Sequence, residues 1–219
     1  MARRKTRTVT TAHMHDQIRI TTAEEIPPQP WKNGGGITRQ LAIHPEGASP
    51  DDCLWRVSAA ELNAPGPFSS WDGYDRILMV TDGGAVRLIR TDTGAVTLLE
   101  PGARLYFAGE TPYTAELPNG PARDFNLMLL RKRAHGCIDL RRGTQAIALR
   151  PGDTILYCTQ GRYRLDFPPR MGGPRTLAAG DTLHLTLDYI PAFRLDIHPE
   201  TPDACVVDAR VNLYPGATR

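Results

Sequence analysis

Asp75-Arg76-Ile77-Leu78-Met79-Val80-Thr81-Asp82-Gly83 returns 78 residues later as Asp153-Thr154-Ile155-Leu156-Tyr157-Cys158-Thr159-Gln160-Gly161. Each copy is a short, mostly aliphatic run closed by a glycine, as a buried strand and its turn would be. The same offset carries Gly102 onto Gly180 and Leu105 onto Leu183. Each half therefore offers a strand, a glycine turn, a hairpin, a second glycine turn and another strand. Self-similarity at a fixed spacing is a signal of fold before function, and here it predicts a duplicated β unit.

Beyond the repeat, convincing helical periodicity is absent, and short β-branched or aliphatic runs alternate with Gly, Pro, Asp and Asn. In the first half, residues 38–43, 54–60, 76–81, 85–90, 95–99, 105–107 and 123–130 read as strands. In the second half, residues 145–149, 154–158, 163–167, 182–187, 192–197 and 204–207 do. The fold class is all-β, a sandwich or a barrel. A chain of 219 residues with 20 Gly and 19 Pro has room for one large or two small cores joined by many turns. A net charge of +2 gives no argument for nucleic acid or acidic partners. Cys53, Cys137, Cys158 and Cys205 form no Cys-x-x-Cys pair, which points to reduced thiols in a cytoplasmic protein. Met1 to Thr11 is basic with no apolar stretch after it, so neither a signal peptide nor a membrane anchor is expected. Residues 1–16 read as a flexible basic leader.

Several short motifs stand in a fixed order. Trp31-Lys32-Asn33-Gly34-Gly35-Gly36-Ile37-Thr38 comes first, then Leu54-Trp55-Arg56-Val57-Ser58-Ala59-Ala60-Glu61, then Gly66-Pro67-Phe68-Ser69-Ser70. Gly73-Tyr74-Asp75-Arg76 and Arg123-Asp124-Phe125-Asn126 follow. At these spacings the chain resembles the HutD/Ves family, densely from about Trp31 to Arg131. The resemblance implies an RmlC-like cupin fold doubled into two tandem β-barrels (a bicupin), and a link to histidine utilisation. It predicts an N-terminal barrel over residues 17–133 that holds a ligand pocket, and a C-terminal barrel over 134–219 that serves mainly as scaffold. One departure is Gln40, where the family usually has an acidic residue.

Cupins commonly hold a metal with His-x-His, a carboxylate and a further histidine. Only His13-x-His15 has ligand-like spacing, and it falls in the leader, where nothing pre-organises it. No metal and no cofactor are expected. Ser58, Ser69 and Ser70 have no histidine nearby in sequence and no Gly-x-Ser-x-Gly elbow. Glu24-Glu25 and Asp51-Asp52 are adjacent pairs in loop-like stretches, and adjacent strand residues face opposite ways, so neither is an acid/base couple. No catalytic residue is assigned.

What remains is polar residues on strands. The two-residue period separates Trp55, Val57 and Ala59 from Arg56, Ser58 and Ala60, and groups Asp124 with Asn126 opposite Phe125 and Leu127. Polar groups buried in such strands must meet partners, water or a ligand. The expected site is therefore Arg56, Ser58, Asp124 and Asn126 at the mouth of the first barrel, with Lys32, Asn33 and Thr38 closing one side and the glycines admitting close backbone approach. Arg76 is a further candidate whose strand phase admits either face. Arg56 offers a planar fork for a carboxylate and Lys32 a point charge. As the resemblance implies, the protein would sense or modulate histidine utilisation by binding a small carboxylate of the urocanate or formylglutamate type, as monomer or homodimer. The alternatives are a metal-free lyase, isomerase or hydrolase acting on a small acid, and a protein- or DNA-binding partner using the basic leader.

Overall fold

The computed structural model describes residues 17–191 and 193–217. The expected leader and the His13-x-His15 pair lie outside the described residues. The chain runs through β1 (Gln17–Thr21), β2 (Gln29–Pro30), β3 (Gly36–His44), β4 (Trp55–Leu62) and β5 (Gly66–Pro67). It continues with β6 (Tyr74–Gly83), β7 (Val86–Arg90), β8 (Val96–Leu99), β9 (Arg104–Ala108), β10 (Tyr113–Glu116) and β11 (Ala122–Leu130). The second half has β12 (Ala134–Arg142), β13 (Gln145–Ile147), β14 (Gly152–Gln160) and β15 (Arg162–Asp166), then β16 (Arg175–Ala178), β17 (Thr182–Leu187), β18 (Leu195–Pro199) and β19 (Cys205–Leu213). No helix among the described residues is long and apolar enough to cross a membrane.

The strand order makes the duplication explicit. The first half has a large sheet, β2-β3-β4-β11-β6-β9, facing a small one, β5-β10-β7-β8. The second half repeats both, as β12-β19-β14-β17 with β1 added at the edge, and β13-β18-β15-β16. Strands β4 to β11 thus recur, in the same arrangement, as β12 to β19. The in-phase glycines agree: Gly83 and Gly161 have φ of 85° and 65°, and Gly102 and Gly180 have φ of 90° and 92°. Only glycine adopts such angles cheaply, so the repeat is one of turn geometry and not a chance match of apolar runs.

One placement differs from the sequence reading. Strand β1, expected in the first barrel, pairs antiparallel with β17 of the second half over all five of its residues. Ile18 and Ile20 pack against the second half's apolar core, which is what holds the strand there. The segment from Gln17 to His44 therefore gives β1 to the second half and β2 and β3 to the first.

Among the described residues three large apolar cores stand beside a smaller cluster of Cys53, Tyr74 and Met128. One fills the second barrel (Leu156, Leu165, Leu183, Leu185 and Ile197 among others) and one fills part of the first (Leu78, Val80, Val86, Leu88 and Leu99). The third lies between the two large sheets. There Trp55, Val57, Ile77, Met79, Phe125 and Leu127 meet Ile138, Ile155, Val207, Ala209 and Val211. Alternate residues of β4, β6 and β11 thus face the other half of the molecule, and the residues between them face the first barrel's interior.

Candidate functional site

Register places the interior-facing residues of the first large sheet in rows. Ile43, Arg56, Met128 and Arg76 form one, Gln40, Ser58, Asn126 and Leu78 the next, and Thr38, Ala60, Asp124 and Val80 the third. Side chains directly opposite in a row have Cβ atoms about 5 Å apart. Five of the sequence-predicted residues (Arg56, Ser58, Arg76, Asp124 and Asn126) therefore share one patch. Arg56, Ser58, Arg76 and Asp124 are buried, at 8%, 4%, 4% and 4% exposure.

The two arginines are held by weak partners. Arg56 Nε donates to Gln40 Oε1 at 2.9 Å, and its Nη1 lies 3.9 Å from Met128 Sδ. Arg76 Nη1 donates to the Ser69 carbonyl at 3.1 Å, and its guanidinium lies over the rings of Phe107 and Phe68, 4.9 and 5.7 Å from their centroids. Arg76 Nε and Asn126 Oδ1 are buried with no hydrogen-bond partner among the described residues. Neither guanidinium forms an ion pair with a carboxylate there. Burial lowers the pKa of both arginines, that of Arg76 to about 10, so each stays cationic at neutral pH. The Arg56 charge adds to the lowering at Arg76. Burial pushes Asp124 up to about 7, against the pull of Arg76.

The second barrel supplies an internal comparison. Leu78 faces Asn126 in the first half, and its repeat counterpart Leu156 faces Asp208. Asp208 is 1% exposed and accepts from Arg141 Nη2 at 3.0 Å and Arg210 Nη2 at 2.9 Å. Buried charge in that half is answered inside the protein. In the first half the buried arginines have no such direct ion pair.

Lys32 and Asn33 do not join the group, and Thr38, although it stands in the third row, is engaged by Trp31. Lys32 and Asn33 are exposed, and Asn33 Oδ1 accepts from the Gly35 amide at 3.0 Å. The Thr38 hydroxyl accepts from the Trp31 indole at 2.8 Å. A Cβ on Gly36 would meet the Glu61 carbonyl and the Trp31 ring. The close approach that the glycines permit is thus made by the protein's own Trp31, so this loop has a local structural role.

Sequence reasoning missed Gln40, Phe68 and Phe107 as partners of the arginines. Gln40 was legible in principle, since it lies two positions on from Thr38, on the same strand face. Gln40 also lines a cleft of about 670 Å³ between β1, β3 and β17, which sets the buried patch one side chain away from that cleft.

The HutD family model matches residues 23–201. The chain belongs to the HutD family. A Pseudomonas putida protein described as an uncharacterized 21.2 kDa protein in the hutC 3′ region is 30% identical over 70% of this chain and 80% of its own length. Protein Ves of Cronobacter sakazakii is 33% identical over 76% of this chain and 97% of its own. Among solved structures, a conserved protein of unknown function from Pseudomonas aeruginosa PAO1 superposes with a TM-score of 0.76 at 27% identity, covering 90% of this chain and 100% of that one. Bacillus subtilis oxalate decarboxylase shares the fold alone, with a TM-score of 0.58 at 10% identity over 92% of this chain and 77% of that one. The HutD fold seen here is that of the cupins.

Cupins often carry a metal, so the fit of the HutD interior to one matters. Metal sites need converging His, Cys or carboxylate donors. Among the described residues no three such side chains converge, and two guanidiniums occupy the interior in question. A metal cation does not fit there.

Proposed function

We propose that this HutD family member binds a small organic carboxylate inside its first barrel and thereby senses or modulates histidine utilisation. The observation that carries the reading is the pair of buried guanidiniums with no carboxylate of the protein in direct contact, Asp124 acting on Arg76 only without a hydrogen bond or ion pair. Taking a charge out of water costs several kcal/mol unless it is paired, and an anionic ligand would supply the partner. Asn126 Oδ1, buried and unpartnered, suits a donor on that ligand. The pathway is supported by family membership and by the hutC-region relative. Urocanate and formylglutamate are the kinds of ligand meant.

The test is a thermal-shift screen against histidine-pathway carboxylates, because a ligand that binds only the native state raises its melting temperature. The wild type should respond to at least one acid, and Arg56→Met should stay folded and lose the response. Silence of the wild type towards every small acid would defeat the proposal. A response unchanged in Arg56→Met would mean that a different anchor is used.

A second reading rests on Asp124. A buried carboxyl with a pKa of about 7 is suited to move protons at neutral pH, as a metal-free lyase, isomerase or hydrolase would require. Turnover of imidazole or N-formyl amino acids, lost in Asp124→Asn with binding kept, would establish it.

A further inference from the structure

The side chain that meets Arg56 Nε, from Gln40 in the next register row, is neutral. Arginine has only donors, so the group meeting its Nε at 2.9 Å must be the amide oxygen of Gln40. That oxygen satisfies one N–H and contributes no charge. Two strands away, Arg76 is answered by the Ser69 carbonyl and two aromatic faces, which are likewise uncharged. Arg56 is therefore left without a carboxylate, and Arg76 has none in direct contact, only the electrostatic influence of Asp124.

Arg56 and Arg76 flank Met128 in one register row, so their Cα atoms lie about 10 Å apart, two strand spacings. Met128 is buried between them, so a short ligand that meets both must lie over its side chain. Asp124 stands in another row beside Ala60 and Val80, and forms no ion pair with either arginine. Gln40 is half-buried at the wall of the cleft between β1, β3 and β17, a position where a carboxylate could stay partly solvated.

From these placements we infer that Gln40 sets the charge of the ligand: by leaving Arg56 uncompensated it makes the first barrel selective for dicarboxylates over monocarboxylates. This rests on the anion-binding function proposed above. In it, Arg56 holds one carboxylate and Arg76 the other, and Gln40 is a specificity-determining neighbour of the first.

The experiment compares acetate and propionate with succinate and glutarate at pH 7 and matched ionic strength, by thermal shift and calorimetry on the whole chain. Ordinary carboxyls titrate near pH 4, so both ends of the diacids are largely ionised there. The wild type should bind a diacid at least about tenfold more tightly than a monoacid, the worth of one added ion pair of about 1.4 kcal/mol. Gln40→Glu places a carboxylate on Arg56 and should erase that preference by bringing diacid binding down to the monoacid level. Gln40→Met changes shape but not charge and should keep the preference, which separates a charge role from a packing role.

A diacid preference that survives Gln40→Glu, or that vanishes equally in Gln40→Met, would overturn the inference and leave anion binding intact. Equal binding of mono- and diacids by the wild type would do the same. No response of the wild type to any of the four acids would instead count against anion binding itself, and this inference would fall with it.

Discussion

Replacing Asp124 with asparagine removes a carboxyl that burial holds at a pKa of about 7 in the folded chain, against an ordinary 3.8. The unfolded chain gives up this proton near pH 4, and the folded chain keeps it until about pH 7. Between those values folding must take up a proton, so the group's contribution to stability falls as pH rises. Above pH 7 the full penalty is in place. The gap spans about three pH units at about 1.4 kcal/mol each, a ceiling of roughly 4 kcal/mol. In a chain of this size about 1 kcal/mol moves the melting temperature by roughly 2–4 °C. Thermal unfolding of wild type and Asp124→Asn from pH 4 to 8, in carboxylate-free buffer, reads the effect as a difference in which shared groups cancel. The variant should gain on the wild type as pH rises, by up to about 10 °C at pH 8. A pH-independent cost of the buried amide would move that curve without bending it. A flat difference, or one that grows towards acid pH, would mean that Asp124 is already ionised in the folded chain and would refute the argument.

Other outcomes follow from the same contacts. Asp208→Ala should cost about 3–5 kcal/mol in denaturant unfolding, because it strands Arg141 and Arg210 beside a buried gap. Arg56→Met should cost little or even stabilise the ligand-free protein, since it exchanges an uncompensated buried charge for apolar volume. Trp55→Ala should lose about 3–5 kcal/mol, as Trp55 is fully buried in the core shared by both halves. Gly36→Ala should destabilise by at least about 1–3 kcal/mol, since its Cβ would meet the Glu61 carbonyl and the Trp31 ring.

Much of the fold could be read from the chain because buried strands carry their own phase. The alternation in Leu54–Ala60 separated Trp55 and Val57, which meet the other half, from Arg56 and Ser58, which turn inward. The spacing of Gly83, Gly102, Gly161 and Gly180 exposed the duplication because turns that need positive φ tolerate few other residues. The sheet of β1 was not legible. Gln17-Ile18-Arg19-Ile20-Thr21 alternates like any half-buried edge strand, and nothing local says which edge it joins. Strand β12 was missed because Ala134–Arg142 carries glycine, histidine and charge where an aliphatic run was sought. At the site, strand phase grouped Arg56, Ser58, Asp124 and Asn126. It could not exclude Lys32 and Asn33, whose exposure follows from a loop that packs on its own Trp31. It also passed over Phe68, because a side chain arriving from a neighbouring loop leaves no periodic trace.

The central claim is that a small organic anion sits between Arg56 and Arg76. Arg76 Nε is buried and has no acceptor among the described residues, so its N–H is a reporter for whatever arrives. Heteronuclear NMR of the arginine Nε–H resonances during a carboxylate titration observes that group directly. Binding as described predicts a saturable downfield shift of the Arg76 signal with a smaller change at Arg56, while Arg141 and Arg210 stay still. An Arg76 resonance that does not move while the protein demonstrably takes up the acid would contradict it.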